Sequence, residues 1–130
     1  VRLLLDTHFA VWLASNEARV SNAERALVAR RDVEIVCSAV SIWELRLKWN
    51  RVTLEGVRKG PASPDAVMAF GQAMNWTFLA LLPEHAASPL DVPVAHKDPF
   101  DELLLVQAQV EGMRLLTRDR ALVGHPLALH

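Results

Sequence analysis

The sequence predicts an α/β fold with a mainly parallel sheet of four to five strands. Three observations predict it. Short apolar runs at residues 3–5, 35–37, 77–82 and 115–116 alternate with stretches of helical spacing, the pattern of strand–helix units. The intervening stretches open on helix-start residues such as Ser21, Pro64 and the pair Asp98-Pro99. Two of the apolar runs share a design, a buried strand with an aspartate just beyond it, in Leu3-Leu4-Leu5-Asp6 and Leu115-Leu116-Thr117-Arg118-Asp119.

In chain order, Leu3-Leu4-Leu5 reads as the first buried strand, and residues 7–15 carry Phe9, Trp12 and Leu13 at helical spacing. Ser21-x-x-Glu24 is a capping box that opens a helix to about residue 30. Residues 34–37 form the second strand, and a helix over 39–50 places Ile42, Leu45 and Trp49 on one face. Residues 51–63, polar and containing Gly56, Gly60 and Pro61, read as an exposed loop with room for a small hairpin. Pro64 suits the first position of a helix to about residue 75. A third strand over 77–82 leads to a short helix over 83–90, disturbed by Pro89. Asp98-Pro99 opens a strong helix ending near Gly112, a fourth strand covers 114–117, a short helix starts at Asp119, and a last strand covers 127–129.

Composition narrows the function. At 130 residues, 52% of them apolar, the chain is expected to form one domain over 1–130 with a sizeable core. A net charge of -1 does not announce a nucleic-acid binder, so any affinity for phosphate needs local basic patches. The single cysteine, Cys37, lies in an apolar run and reads as a core residue; a chain without disulfides suits a reducing cytoplasm. No segment is apolar enough to span a membrane, and the opening run is too short for a secretory signal. His8, His85, His96, His125 and His130 are dispersed and read as surface or loop residues, which argues against a zinc site.

The acids suggest a site. In an open parallel sheet, ligands bind beyond the carboxyl ends of the strands. Asp6 and Asp119 would emerge there, Glu44 lies early in the helix after the second strand, and Asp98 and Asp101 begin the helix that returns to the fourth. Each has a structural reading too. Asp98 is a good N-cap, Asp101 favours the helix dipole, Ser41-x-x-Glu44 matches a capping box, and Asp6 and Asp119 each precede a helix. Capping alone does not require acids at several loops of one rim. Clustered carboxylates repel unless a cation compensates, and their hard oxygens suit Mg²⁺ or Mn²⁺. Such a site suits hydrolysis of a phosphodiester.

Four segments, LLLDTHFAVW, SAVSIWEL, HKDPFDELLLVQAQVEG and LLTRDRAL, resemble in order and spacing the PIN-domain ribonucleases, most closely the VapC-type toxins of bacterial toxin–antitoxin pairs. The resemblance implies a three-layer α/β/α fold and Mg²⁺-dependent cleavage of RNA. It implies metal-binding and catalytic acids at Asp6, Glu44, Asp101 and Asp119, with Asp6 and Asp101 holding the ion. Glu44 and Asp119 would place the attacking water. Asp98 matches an additional acid, and Thr7 and Thr117 match supporting hydroxyls. Lys97, Arg118, Arg46 and Arg120 are candidates for holding RNA. The family also implies a homodimer and a VapB-type antitoxin seated in a groove that Trp43, Leu47 and Trp49 would line. Glu102 stands where many relatives have Arg, which removes a positive charge beside the third acid. Two other classes compete: a receiver-like Mg²⁺-binding signalling domain, which would need an acceptor aspartate at the end of a central strand, and a non-catalytic PIN-like binding module.

Overall fold

The computed structural model describes residues 1–51, 62–95 and 98–130. Its elements run β1 (Arg2–Leu5), α1 (Thr7–Ser15), a 3-10 turn (Glu17–Arg19), α2 (Asn22–Val28), β2 (Glu34–Ser38), α3 (Ala39–Trp49), α4 (Pro64–Ala73), β3 (Thr77–Leu79), α5 (Pro83–Ala87), α6 (Pro99–Glu111), β4 (Arg114–Leu116) and β5 (Ala128–Leu129). The strands form one sheet in the order β3-β2-β1-β4-β5, and every pairing is parallel. Leu4 of β1 sits at the centre, paired with Val36 on one side and Leu115 on the other.

Alternation along β1 explains the three layers. Leu3 and Leu5 point to one face, where they pack with Phe9, Ala10, Ile35, Cys37, Leu45 and Val67. Leu4 points to the other, among Val36, Val40, Leu104, Leu105, Ala108 and Leu115. Both faces are therefore covered by helices, which is why the β1 strand is apolar without interruption. Truncating Leu4, which is fully buried, to Ala would cost about 2–5 kcal/mol.

The helix ends follow local chemistry. Ser21 and Glu24 form the expected reciprocal capping box. Asp98 caps α6, and Gly112 closes it in the left-handed conformation at φ 69°, where a side chain would be strained. Gly71 permits the close approach of α4 to β3, because a Cβ there would stand 2.6 Å from Trp76 and 2.7 Å from Phe78.

Several local expectations change. Ser38 rather than Ser41 caps α3, which moves Glu44 from a capping position into the helix interior. The third strand stops at Leu79 and α5 at Ala87, each shorter than the apolar pattern suggests. Residues 120–124 form turns instead of a helix. His85, expected at the surface, is fully buried: its Nδ1 accepts from the Leu82 N–H, and its Nε2 lies 2.8 Å from Glu111. The loop read over 51–63 lies mostly outside the described residues, as do His96 and Lys97.

Candidate functional site

All five strands run the same way, so β1, β2 and β4 present their carboxyl ends on one rim. The chain leaves β1 at Asp6 and β4 at Thr117, and α1 and α3 begin on that rim. Helix α6 feeds back into β4, so its first turn, with Asp98 and Asp101, lies on the same side.

Asp6 is held by both of its carboxylate oxygens. It is 4% exposed and caps α1, with Oδ1 accepting from the Phe9 N–H at 2.9 Å. Its Oδ2 accepts from the Thr117 hydroxyl at 2.7 Å. Both donors are neutral. Burial pushes the Asp6 carboxyl above the usual range, and the negative charge of Asp119 pushes the same way; the two hydrogen bonds and His8 offset part of this.

Two threonines tie the neighbouring acids to this point. The Thr117 oxygen that donates to Asp6 also accepts from the Asp119 N–H at 3.0 Å, which orders the loop carrying Asp119. The Asp119 Oδ1 in turn accepts from the Ala121 N–H at 2.9 Å. The Thr7 hydroxyl donates to Glu44 Oε1 at 2.7 Å and stands 3.1 Å from the Ser41 hydroxyl. Glu44 is itself buried, and its Oε2 meets Lys48 at 2.7 Å, one turn along α3. Asp101 is half-buried in the first turn of α6. The start of that helix lies against α3, with the rings of Phe100 and Trp43 5.3 Å apart, edge to face.

The structure thus links Asp6 to Asp119 through Thr117, links Thr7 to Glu44, and sets Asp101 on the adjoining helix end. Among the described residues no three His, Cys, Asp or Glu side chains converge into a ready-made metal cage. The donor chemistry still fits a hard divalent cation. Mg²⁺ needs only one or two direct carboxylates and keeps waters otherwise, and Asp6 is a buried carboxylate whose hydrogen bonds among the described residues come from neutral groups. Cys37 is buried in the core, and burial raises its thiol to about 12, so it is poorly suited to serve as a thiolate ligand.

The basic candidates divide. Arg46 lines an open apolar groove of about 600 Å³ with Ile42, Trp43, Met68, Phe78 and Leu79. Arg120 is exposed. Arg118 is engaged elsewhere: its Nε and Nη2 donate to the two Glu24 oxygens at 2.7 and 2.6 Å, and its guanidinium lies 4.5 Å from the Trp12 ring centre. Glu24 is buried, also accepts from the Ser21 N–H and meets His130, and these partners, Arg118 foremost, lower its pKa to about 2. The capping-box pattern found Glu24 but gave no sign of the Arg118 pair, whose members lie 94 residues apart.

Comparison with known proteins agrees with this architecture. The sequence profile of the PIN domain matches residues 3–124. Ribonuclease VapC22 of Mycobacterium tuberculosis is 31% identical over 124 residues, spanning 95% of this chain and 91% of that protein. A chain of a toxin-antitoxin complex from Klebsiella pneumoniae superposes with a TM-score of 0.64 at 18% identity, over 98% of this chain and 96% of that one. VapBC2 from Rickettsia felis, bound to a DNA fragment from its promoter, superposes with a TM-score of 0.58 at 10% identity, over 90% of this chain and 86% of that one. The two structures speak for the fold and the sequence matches for descent: the chain belongs to the PIN-domain family.

Proposed function

We propose that the protein is a Mg²⁺-dependent endoribonuclease acting as the toxin of a toxin–antitoxin pair, with Mn²⁺ able to serve at the same oxygens. The observation that carries the reading is Asp6: a carboxylate buried at the sheet rim, bonded by neutral donors among the described residues, and joined through Thr117 to a second acid. A divalent ion bound there would supply the missing positive charge and stabilise charge on the phosphoryl oxygens during in-line displacement. Asp6 and Asp101 are the residues that would hold the ion, directly or through water. Asp119 and Glu44 would orient the attacking water and take up its proton. Thr117 and Thr7 keep those acids in place by donating to them or ordering their backbone. No histidine base is required.

The ribonuclease relative supports RNA as the substrate. The toxin–antitoxin complexes among the structural neighbours support a VapB-type antitoxin as partner, and the groove beside Trp43, which is 46% exposed, is where we seat it. Leu47 is exposed on the same helix and Trp49 half-buried. A homodimer working in the cytoplasm completes the proposal; among the described residues no helix is long and apolar enough to cross a membrane. The sheet order disfavours a receiver-like domain, which carries the order 2-1-3-4-5 where this chain has β3-β2-β1-β4-β5.

The test is cleavage of single-stranded RNA by purified protein. The expected result is cleavage in Mg²⁺, loss in EDTA and recovery on adding excess Mg²⁺ or Mn²⁺. Metal-independent cleavage would overturn the metal role, and absence of cleavage with either ion would favour a non-catalytic binding module.

A further inference from the structure

The outer side of α1 carries a group of side chains that the acidic site does not use. Trp12 is half-buried, and the ring of His8, one turn earlier, stacks on it with centres 5.8 Å apart and planes 18° apart. Two guanidinium groups converge on the same indole, Arg118 at 4.5 Å and Arg19 at 5.2 Å from its centre. They differ in availability. Arg118 is held by both oxygens of Glu24 and donates to the Arg19 carbonyl, so it forms a rigid wall whose charge is largely compensated. Arg19 is exposed and has no carboxylate within ion-pair distance among the described residues. His8 is exposed as well. The group adjoins the acids at both ends: His8 is two residues beyond Asp6, and Arg118 immediately precedes Asp119.

We propose that His8, Trp12 and Arg19 form a docking subsite for single-stranded RNA, with a base stacked on the imidazole of His8 and the adjoining phosphate held by Arg19. The proposal rests on the ribonuclease reading and places the strand entering that site. The chemistry selects this occupant. Every nucleobase has a π-face that stacks on an aromatic ring without regard to sequence, and a free guanidinium beside the stack suits a phosphate. A chain of net charge -1 needs such a local cation to hold a polyanion. Trp12, backed by Arg118 and the edge of Phe9, keeps the His8 ring in position and is not itself the stacking face.

The experiment measures binding of a fluorescently labelled single-stranded RNA oligonucleotide by anisotropy in Mg²⁺, with every protein in an Asp119→Asn background to slow cleavage. His8→Ala is expected to raise Kd about fivefold or more, the lower end of one stacked base. Arg19→Ala is expected to raise it about three- to tenfold and to flatten its salt dependence. Both residues are exposed, so the fold is preserved; a charge-matched control, Arg31→Ala, sits before β2 at the opposite edge and should leave Kd unchanged. The same RNA as a duplex should lose less on His8→Ala, because its bases are already stacked. The subsite is overturned if both variants bind within twofold of the parent, or if Arg31→Ala weakens binding as much as Arg19→Ala. Cleavage by the otherwise wild-type chain separates the two levels. Normal binding by the variants with intact cleavage removes the subsite alone, whereas a protein that neither cleaves nor binds RNA removes the ribonuclease reading and the subsite together.

Discussion

Two buried carboxylates, Asp6 and Glu24, have opposite electrostatics. Glu24 is bonded by the Arg118 guanidinium, the Ser21 N–H and His130, and its pKa falls to about 2. Asp6 is bonded by a backbone N–H and a hydroxyl, and its pKa rises through burial. Burial alone therefore does not decide which way a carboxylate's pKa moves. A carboxylate with cations around it has its compensation built into the fold, whereas one with neutral donors alone is suited to take its positive charge from outside. Glu44 stands between the two, with Lys48 on one oxygen and Thr7 on the other.

The comparison predicts which substitutions separate activity from stability. The largest effect belongs to Asp6→Asn, which keeps the hydrogen-bonding shape and removes the charge. Cleavage should fall by more than about 100-fold, beyond the usual loss for a residue that only supports a metal ligand. The unfolding temperature should hold or rise, because a desolvated charge has been removed.

Thr117→Val comes next. It removes the oxygen shared by Asp6 and the Asp119 backbone, and should lower activity about 10–100-fold while raising the Mg²⁺ concentration needed for half-maximal rate. Steady-state kinetics across a Mg²⁺ series would read both.

Glu24→Gln reverses the pattern. It should cost about 1–2 kcal/mol of stability, discounted because Arg118 is about one-third exposed, with a smaller effect on kcat. The pH dependence has a definite sign. The folded pKa of Glu24 lies below its ordinary value of 4.5, so its contribution is complete above that value and lost as pH falls toward about 2. Denaturant unfolding at neutral pH and below pH 4 should show the gap between wild type and Glu24→Gln closing on acidification.

The smallest effect is Ser21→Ala, about 1 kcal/mol in denaturant unfolding, because it removes only the acceptor for the Glu24 N–H and leaves Glu24 held by Arg118.

These residues also show what could be read from the sequence. The β1 strand, the α1 boundaries, the Ser21 capping box and the Asp98–Gly112 span of α6 are written in neighbouring residues, and the structure reproduces them. The placement of Asp6, Glu44, Asp101 and Asp119 around one rim followed from strand ends and helix starts. Pairings between distant segments left no local signal. His85 lies among Pro83, Glu84 and Ser88, and its buried partner Glu111 comes from α6, 26 residues on. Arg118 reads as a free cation until α2 brings Glu24 against it. Ser41-x-x-Glu44 is a correct pattern in the wrong frame, since Ser38 reaches the helix start first. In each case tertiary contact decided between local options of similar merit.

The contrast between the two carboxylates is tested most directly by thermal unfolding across a millimolar Mg²⁺ titration, with wild type and Asp6→Asn side by side at neutral pH. The account predicts that Mg²⁺ raises the wild-type midpoint by about 3 °C or more and leaves Asp6→Asn flat. Equal shifts in the two proteins, or no shift in a wild-type protein that still cleaves RNA in EDTA, would contradict it.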